Sequence, residues 1–147
     1  MEEQVVERAM IRATPEDLFA ILTEFESYPS WSSDVKAVRV LERDDEGRGT
    51  KVVFRVAAFG RSTSPTLAYD YGGAPFRLSW AQVAGDLTRR YDGSYSFEAS
   101  TAGDAETEVR YQITVDLRVP LPGFVKRRAE SLVGVKVLRE LKARAEG

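Results

Sequence analysis

The sequence predicts an α+β domain in which a curved antiparallel sheet wraps one long C-terminal helix. Three observations point there. From Val35 to Leu117 the chain repeats short segments of period-two alternation separated by glycine-bearing turns. A single helix-period segment precedes them. After Pro120 and Pro122-Gly123, residues 124 to about 145 return to helical composition, rich in Lys, Arg, Glu, Leu and Ala, with no proline and one glycine.

Taken in order, residues 4–12, QVVERAMIR, read as a first strand. Thr14 is an N-cap candidate, Pro15 suits the first helical position, and Glu16 and Asp17 favour the positive end of the helix dipole. Leu18, Phe19, Ile21, Leu22 and Phe25 then form an apolar stripe of a helix ending near Glu26. Ser27 to Trp31 reads as a turn or a second short helix. Val38 and Val40 alternate on a strand ending near Glu42, and Asp44 to Gly49 turns the chain. Val52, Phe54, Val56 and Ala58 face one way on the next strand, and Gly60 marks its end. Leu67, Tyr69 and Tyr71 lie on a fourth strand closed by Gly72-Gly73, and Phe76, Leu78 and Trp80 on a fifth. Gly85-Asp86 signals a hairpin before Tyr91, Gly93, Tyr95 and Phe97. Ala102-Gly103-Asp104 turns into the clearest strand, Val109, Tyr111, Ile113, Val115 and Leu117. The order is β-α-(α)-β6-α, seven strands in one domain over residues 1–147. Six consecutive strands with short turns imply a meander with one buried face. Only the terminal helix is long enough to cover it, and a curved sheet gripping one helix leaves a concave space suited to a ligand.

Composition removes several chemistries. The chain has 147 residues, no cysteine, no histidine and a net charge of −2. Thiolate chemistry, zinc–thiolate sites and a Ser-His-Asp triad are therefore excluded. The densest acidic run, Glu42 with Asp44, Asp45 and Glu46, has no Ca²⁺-loop spacing and reads as a solvated hairpin turn. No metal or cofactor is expected. Acidic and basic residues are interleaved, so no strong basic field exists to hold nucleic acid or an anionic membrane. The N-terminus lacks the apolar core of a signal peptide, and no apolar run approaches about 20 residues, so a cytoplasmic location without membrane insertion is expected.

The aromatic residues are the informative group. Phe54, Tyr69, Tyr71, Phe76, Trp80, Tyr91, Tyr95, Phe97 and Tyr111 fall on positions that alternation assigns inward. A packed core normally prefers Leu, Ile and Val, and tyrosines on a concave face need partners for their hydroxyls. They either reach water at the sheet rim or line a cavity, with Leu78 beside them. On a helical wheel Arg128 sits within the stripe of Leu121, Phe124, Val125, Leu132 and Val135. It reads as a polar anchor inside the cavity, as a partner of a sheet carboxylate such as Asp92 or Glu98, or as a side chain that snorkels out at the cavity mouth. Phe124 and Leu132 would line the same cavity. Tyr28 and Trp31 place two large aromatics on a connection, at the cavity entrance or as a latch closing the barrel end.

The run Ala13-Thr14-Pro15-Glu16-Asp17-Leu18-Phe19, then Phe25-Glu26-Ser27-Tyr28-Pro29-Ser30-Trp31 and Val35, resembles the opening of the START-like (SRPBCC) superfamily, in particular its polyketide cyclase/dehydrase branch. Gly93-x-Tyr95-x-Phe97-Glu98 and the terminal helix continue the likeness over nearly the whole chain. The resemblance implies the helix-grip (START/Bet v 1-like) fold and a role among lipid carriers, quinone binders, cyclases or a ribosome-associated toxin. In the aromatase/cyclases of that branch an inward arginine follows the glycine turn. The segment Ser64 to Tyr69 here has none, and Arg61 precedes it. The leading expectation is thus a monomeric or homodimeric carrier of a small hydrophobic or aromatic ligand. A polyketide cyclase, with Arg128 stabilising an enolate and Tyr69 or Tyr95 relaying protons, is the alternative. A protein- or ribosome-binding module using the basic residues from Lys126 to Arg144 is the third.

Overall fold

The computed structural model describes residues 3–58, 60–100, 105–118 and 122–147. The turn expected at Ala102–Asp104 and the break expected at Pro120, with Leu121, lie outside them. Strands β1 (Glu3–Ile11), β2 (Val35–Arg43), β3 (Gly49–Ala58), β4 (Arg61–Thr63), β5 (Thr66–Asp70), β6 (Arg77–Ala84), β7 (Thr88–Ala99) and β8 (Thr107–Leu117) form one antiparallel sheet. Its order is β1-β8-β7-β6-β5-β3-β2, with β4 pairing β3 beside β5. The helix-grip expectation holds, with one strand more than the sequence suggested. That strand is the three-residue β4, which pairs Val56–Ala58 with Arg61–Thr63 around Gly60. Three residues are too few for an alternation to register. Phe76 lies in the turn before β6 and is 55 % exposed, so the inward assignment fails there. Tyr71 likewise falls one residue beyond β5.

Helix α1 (Pro15–Thr23) begins as the sequence requires. Thr14 is extended, and its Oγ accepts the Asp17 N–H at 3.1 Å. The α-helix stops at Thr23 rather than near Glu26, and a 3₁₀ turn follows over Phe25–Ser30. Three residues per turn put Phe25 and Tyr28 on one side, and both are buried. Phe25 packs against Tyr28 at 5.9 Å and Tyr69 at 4.7 Å between ring centres, joining the connection to the concave face. Leu18 and Leu22 anchor α1 and have no solvent exposure. Replacing Leu22 by alanine is expected to lower unfolding stability by about 2–5 kcal/mol in a urea melt. A loss under about 1 kcal/mol would show that α1 is peripheral to the core.

Helix α2 (Gly123–Glu146) runs across β1 and β8, with Glu130, Gly134, Leu138 and Leu141 as its buried residues. Gly134 sets the approach. A Cβ there would lie 2.8 Å from Glu7 Cγ and 3.3 Å from a Tyr111 ring carbon. The helix is tied at its far end by Lys142 Nζ donating to Met10 O at 2.9 Å and by the Arg12 N–H donating to Glu146 at 2.9 Å. Among the described residues, no helix is long and apolar enough to cross a membrane.

Candidate functional site

Between the concave sheet face and α2 lies a cavity of about 980 Å³, at the upper end of the usual ligand-pocket range of about 300–1,000 Å³. The sheet contributes Phe54, Leu67, Tyr69, Trp80, Tyr91, Tyr95, Tyr111, Ile113, Val115 and Leu117. The helix contributes Ala129, Glu130, Leu132, Val133 and Val137, and Tyr28 and Trp31 close one end. Strand pairing explains the aromatic wall. Tyr95 lies opposite Leu78 on β6 and Tyr111 on β8, and Trp80 lies opposite Tyr69 on β5, so inward residues of four adjacent strands meet. Trp80 stands at the centre. Its ring centre is 5.4 Å from Tyr95 and 6.1 Å from both Tyr91 and Tyr111.

The tyrosine hydroxyls converge. Those of Tyr91 and Tyr111 are 2.5 Å apart. Whichever donates, one hydroxyl hydrogen of the pair stays available to a third group. Tyr28 is committed, donating to Leu22 O at 2.6 Å. No hydrogen bond engages the hydroxyls of Tyr69 and Tyr95 among the described residues, and both side chains border the cavity. Burial, reinforced by neighbouring tyrosines, pushes Tyr28, Tyr69, Tyr95 and Tyr111 well above the ordinary phenol range, and burial also raises Tyr91. All of them remain O–H groups at neutral pH. The indole N–H groups of Trp31 and Trp80 are buried without a protein hydrogen-bond partner. An unmet buried donor costs about 1–3 kcal/mol, so this end of the molecule holds unused donors in side chains that border the cavity.

The mouth is polar. Asp34, Lys36, Arg55, Arg61 and Glu140 lie around it. Two contacts tie the loop after Trp31 to α2. Lys136 Nζ meets Asp34 Oδ1 at 3.0 Å, and the Ser33 N–H donates to Glu140 Oε2 at 3.2 Å. Opposite them, Thr63 of β4 bonds Asp86, which also accepts the Leu87 N–H, holding the β6–β7 turn at the rim.

A family model described as "Polyketide cyclase / dehydrase and lipid transport" matches residues 2–146. The chain belongs to this family. No curated protein matches it significantly. Solved structures agree on the fold. A START superfamily protein from Mycobacterium smegmatis superposes with a TM-score of 0.90 at 22 % identity over 97 % of both chains. A protein of Thermus thermophilus gives 0.81 at 19 % identity, again over 97 % of both. The Zhui aromatase/cyclase from Streptomyces sp. R1128 gives 0.78 at 15 % identity, over 99 % of this chain and 94 % of that one.

In this polyketide cyclase/dehydrase-family chain the structure sorts the expected site residues into two groups. Tyr28, Trp31, Phe54, Tyr69, Trp80, Tyr91, Tyr95, Tyr111 and Leu132 border the cavity. Leu78 and Phe97 are buried in the core but do not border it. Tyr71 turns away, donating its hydroxyl to Gly49 O at 2.6 Å beneath the Arg48 guanidinium, and burial pushes it up to about 12. Phe124 is 69 % exposed, and Arg128 is exposed on the same outer face of α2. Leu132, 60 % exposed, sits at the mouth. Phe124, Arg128 and Val135 of that stripe are therefore exposed, and an anchoring role for Arg128 inside the cavity falls. The helix meets the sheet through Gly134, and close approach at a glycine overrides apolar weight on the wheel. Sequence reasoning missed Glu130, 3 % exposed and on the cavity wall. Its signal was its place one turn before the helix's interior glycine. Arg61, expected before the strand, is itself part of β4 and reaches the rim.

Proposed function

We propose that the chain is a cytoplasmic binding or carrier protein for a small hydrophobic or aromatic molecule, such as a quinone, a lipid or a polyketide-like compound, held between the sheet and α2. The observation that carries this reading is the cavity itself: aromatic walls, and tyrosines that burial keeps protonated. Such tyrosines give ring faces and hydrogen-bond donors, while a general base needs a group whose proton leaves near the working pH. The cyclase alternative has lost the role assigned to Arg128, which lies outside. The interaction alternative is weakened because its cations have work within the fold. Lys136 pairs Asp34, Lys142 pairs Glu146, and Lys126 donates to Leu117 O at 3.4 Å.

Thermal-shift and native mass spectrometry screens across quinones, lipids and polyketide-like aromatics test the proposal. A true ligand at a hundred times its Kd stabilises the fold by about 2.7 kcal/mol, raising Tm on the order of 5–10 °C. Absence of any bound species and of any shift across all three classes would defeat it.

A further inference from the structure

Hydrogen-bond accounting separates two tyrosines from the rest of the aromatic set. Tyr28 is committed to Leu22 O, Tyr71 to Gly49 O, and Tyr91 and Tyr111 to each other. The hydroxyls of Tyr69 and Tyr95 meet no partner among the described residues, yet their oxygens are not sealed in protein as the indole nitrogens of Trp31 and Trp80 are. Both side chains border the cavity, which is the space these oxygens open to. The sheet explains their placement. Tyr69 on β5 lies opposite Trp80 on β6, and Trp80 lies opposite Gly93, two residues before Tyr95 on β7. A Cβ at position 93 would fall 2.8 Å from Trp80 Cζ2, so the indole lies over that strand as a flat shelf. Its ring centre is 6.0 Å from that of Tyr69 and 5.4 Å from that of Tyr95. The shelf therefore has a tyrosine with an uncommitted hydroxyl on either side.

We propose that Tyr69 and Tyr95 are the specificity-determining pair of this cavity: they select flat ring systems with carbonyl oxygens at both edges, as in a 1,4-quinone, and turn away ring hydrocarbons and saturated chains of the same bulk. The proposal rests on the reading that the cavity binds a ligand. Aromatic walls take any flat apolar ring by offset stacking, which supplies affinity without choice. The choice comes from the hydroxyls. A hydrocarbon that fills the cavity withdraws water from both and returns no acceptor, and each stranded donor then weakens binding. A carbonyl at each edge of the ring accepts both hydrogens and leaves neither unmet. A site that hydrogen-bonds its ligand discriminates against an analogue without the bonding atoms for this reason. Burial keeps both phenols protonated at neutral pH, so the two hydrogens are available throughout that range.

Equilibrium dialysis of 2-methyl-1,4-naphthoquinone and of 2-methylnaphthalene tests this, with the unsubstituted protein set against a double variant, Tyr69→Phe with Tyr95→Phe. The chain has no cysteine for the quinone to alkylate. In the double variant the quinone should bind at least about tenfold more weakly, two hydrogen bonds being lost. The hydrocarbon should bind as well as before or severalfold better. Each compound is compared with itself, so their unequal solubilities in water drop out. If the quinone keeps its affinity in the double variant, or both compounds weaken together, selection by this pair is wrong, while their retention by the unsubstituted protein leaves the binding reading standing. Retention of neither compound by the unsubstituted protein overturns the proposal, and the thermal-shift screen then decides the binding reading on its own. Should the double variant fail to fold by circular dichroism, each single variant replaces it. A loss of at least about threefold for the quinone alone, in both single variants, supports the proposal, and equal changes for the two compounds overturn it.

Discussion

Gly93→Ala is expected to remove at least about 3 kcal/mol of folding stability, beyond the usual 1–3 kcal/mol of an overpacked site, and to lower Tm by roughly 6–12 °C. Gly93 lies opposite Trp80 on one side and Ile113 on the other, with its missing side chain pointing to the concave face. A Cβ there would overlap the Gln112 carbonyl oxygen, and would lie 2.8 Å from both Ile113 Cγ2 and Trp80 Cζ2. The first of these is backbone of a central strand pair, which cannot swing aside as a side-chain end can. Trp80 would have to leave the middle of the aromatic wall, so near-UV circular dichroism should change together with stability. A urea melt within about 0.5 kcal/mol of the unsubstituted protein would show that the strands absorb the methyl group and that Trp80 does not depend on the gap.

The second large effect is alkaline unfolding. All six tyrosines have folded-state pKa values raised by burial, Tyr71 to about 12 and Tyr28, Tyr69, Tyr95 and Tyr111 well above the ordinary value. A raised folded pKa means that the native state holds its protons more tightly than the unfolded chain. The associated stability is whole below about pH 10, the unfolded value, and drains away as pH climbs through the folded values. Each such tyrosine contributes a slope of about 1.4 kcal/mol per pH unit in that window, and several act together. Absorbance at 295 nm should therefore stay flat near pH 10 and then rise in one steep step that coincides with loss of far-ultraviolet circular dichroism. Smooth titration of several phenols near pH 10 in a folded protein would refute the buried-hydroxyl arrangement.

These features were legible in the sequence to different depths. The sheet was, because alternation with a dry inner face leaves a period that survives twist and small bulges. The Val109-to-Leu117 series is buried at each inward position. The aromatic wall followed from it, with errors where an aromatic sat just past a strand end, as at Tyr71 and Phe76. Helix α2 was not legible by the same route. Apolar residues surround it, and its buried set joins a glutamate and a glycine to two leucines. Apolar weight picked the Arg128 side, whereas contact geometry picked the Gly134 side. A lone glycine in a helix otherwise free of breakers was the better guide, since it has no propensity reason to be there.

The way the sheet closes has a consequence for how the chain is made. β1 leaves the ribosome before the other strands of this sheet, yet its hydrogen-bonding neighbour is β8. The buried bond from Thr107 to Ala13 O bridges 94 residues, and the Arg12–Glu146 contact bridges 134. During synthesis β1 must wait as an unpaired strand while the β2–β7 meander forms behind it, and α2, which packs on both β1 and β8, arrives last. Closure of such a long loop has a substantial entropy cost and slows folding. The nascent chain therefore carries an open edge and a bare aromatic face until the turns of α2 emerge, which is the interval in which a chaperone or an early-bound ligand would have most to shield.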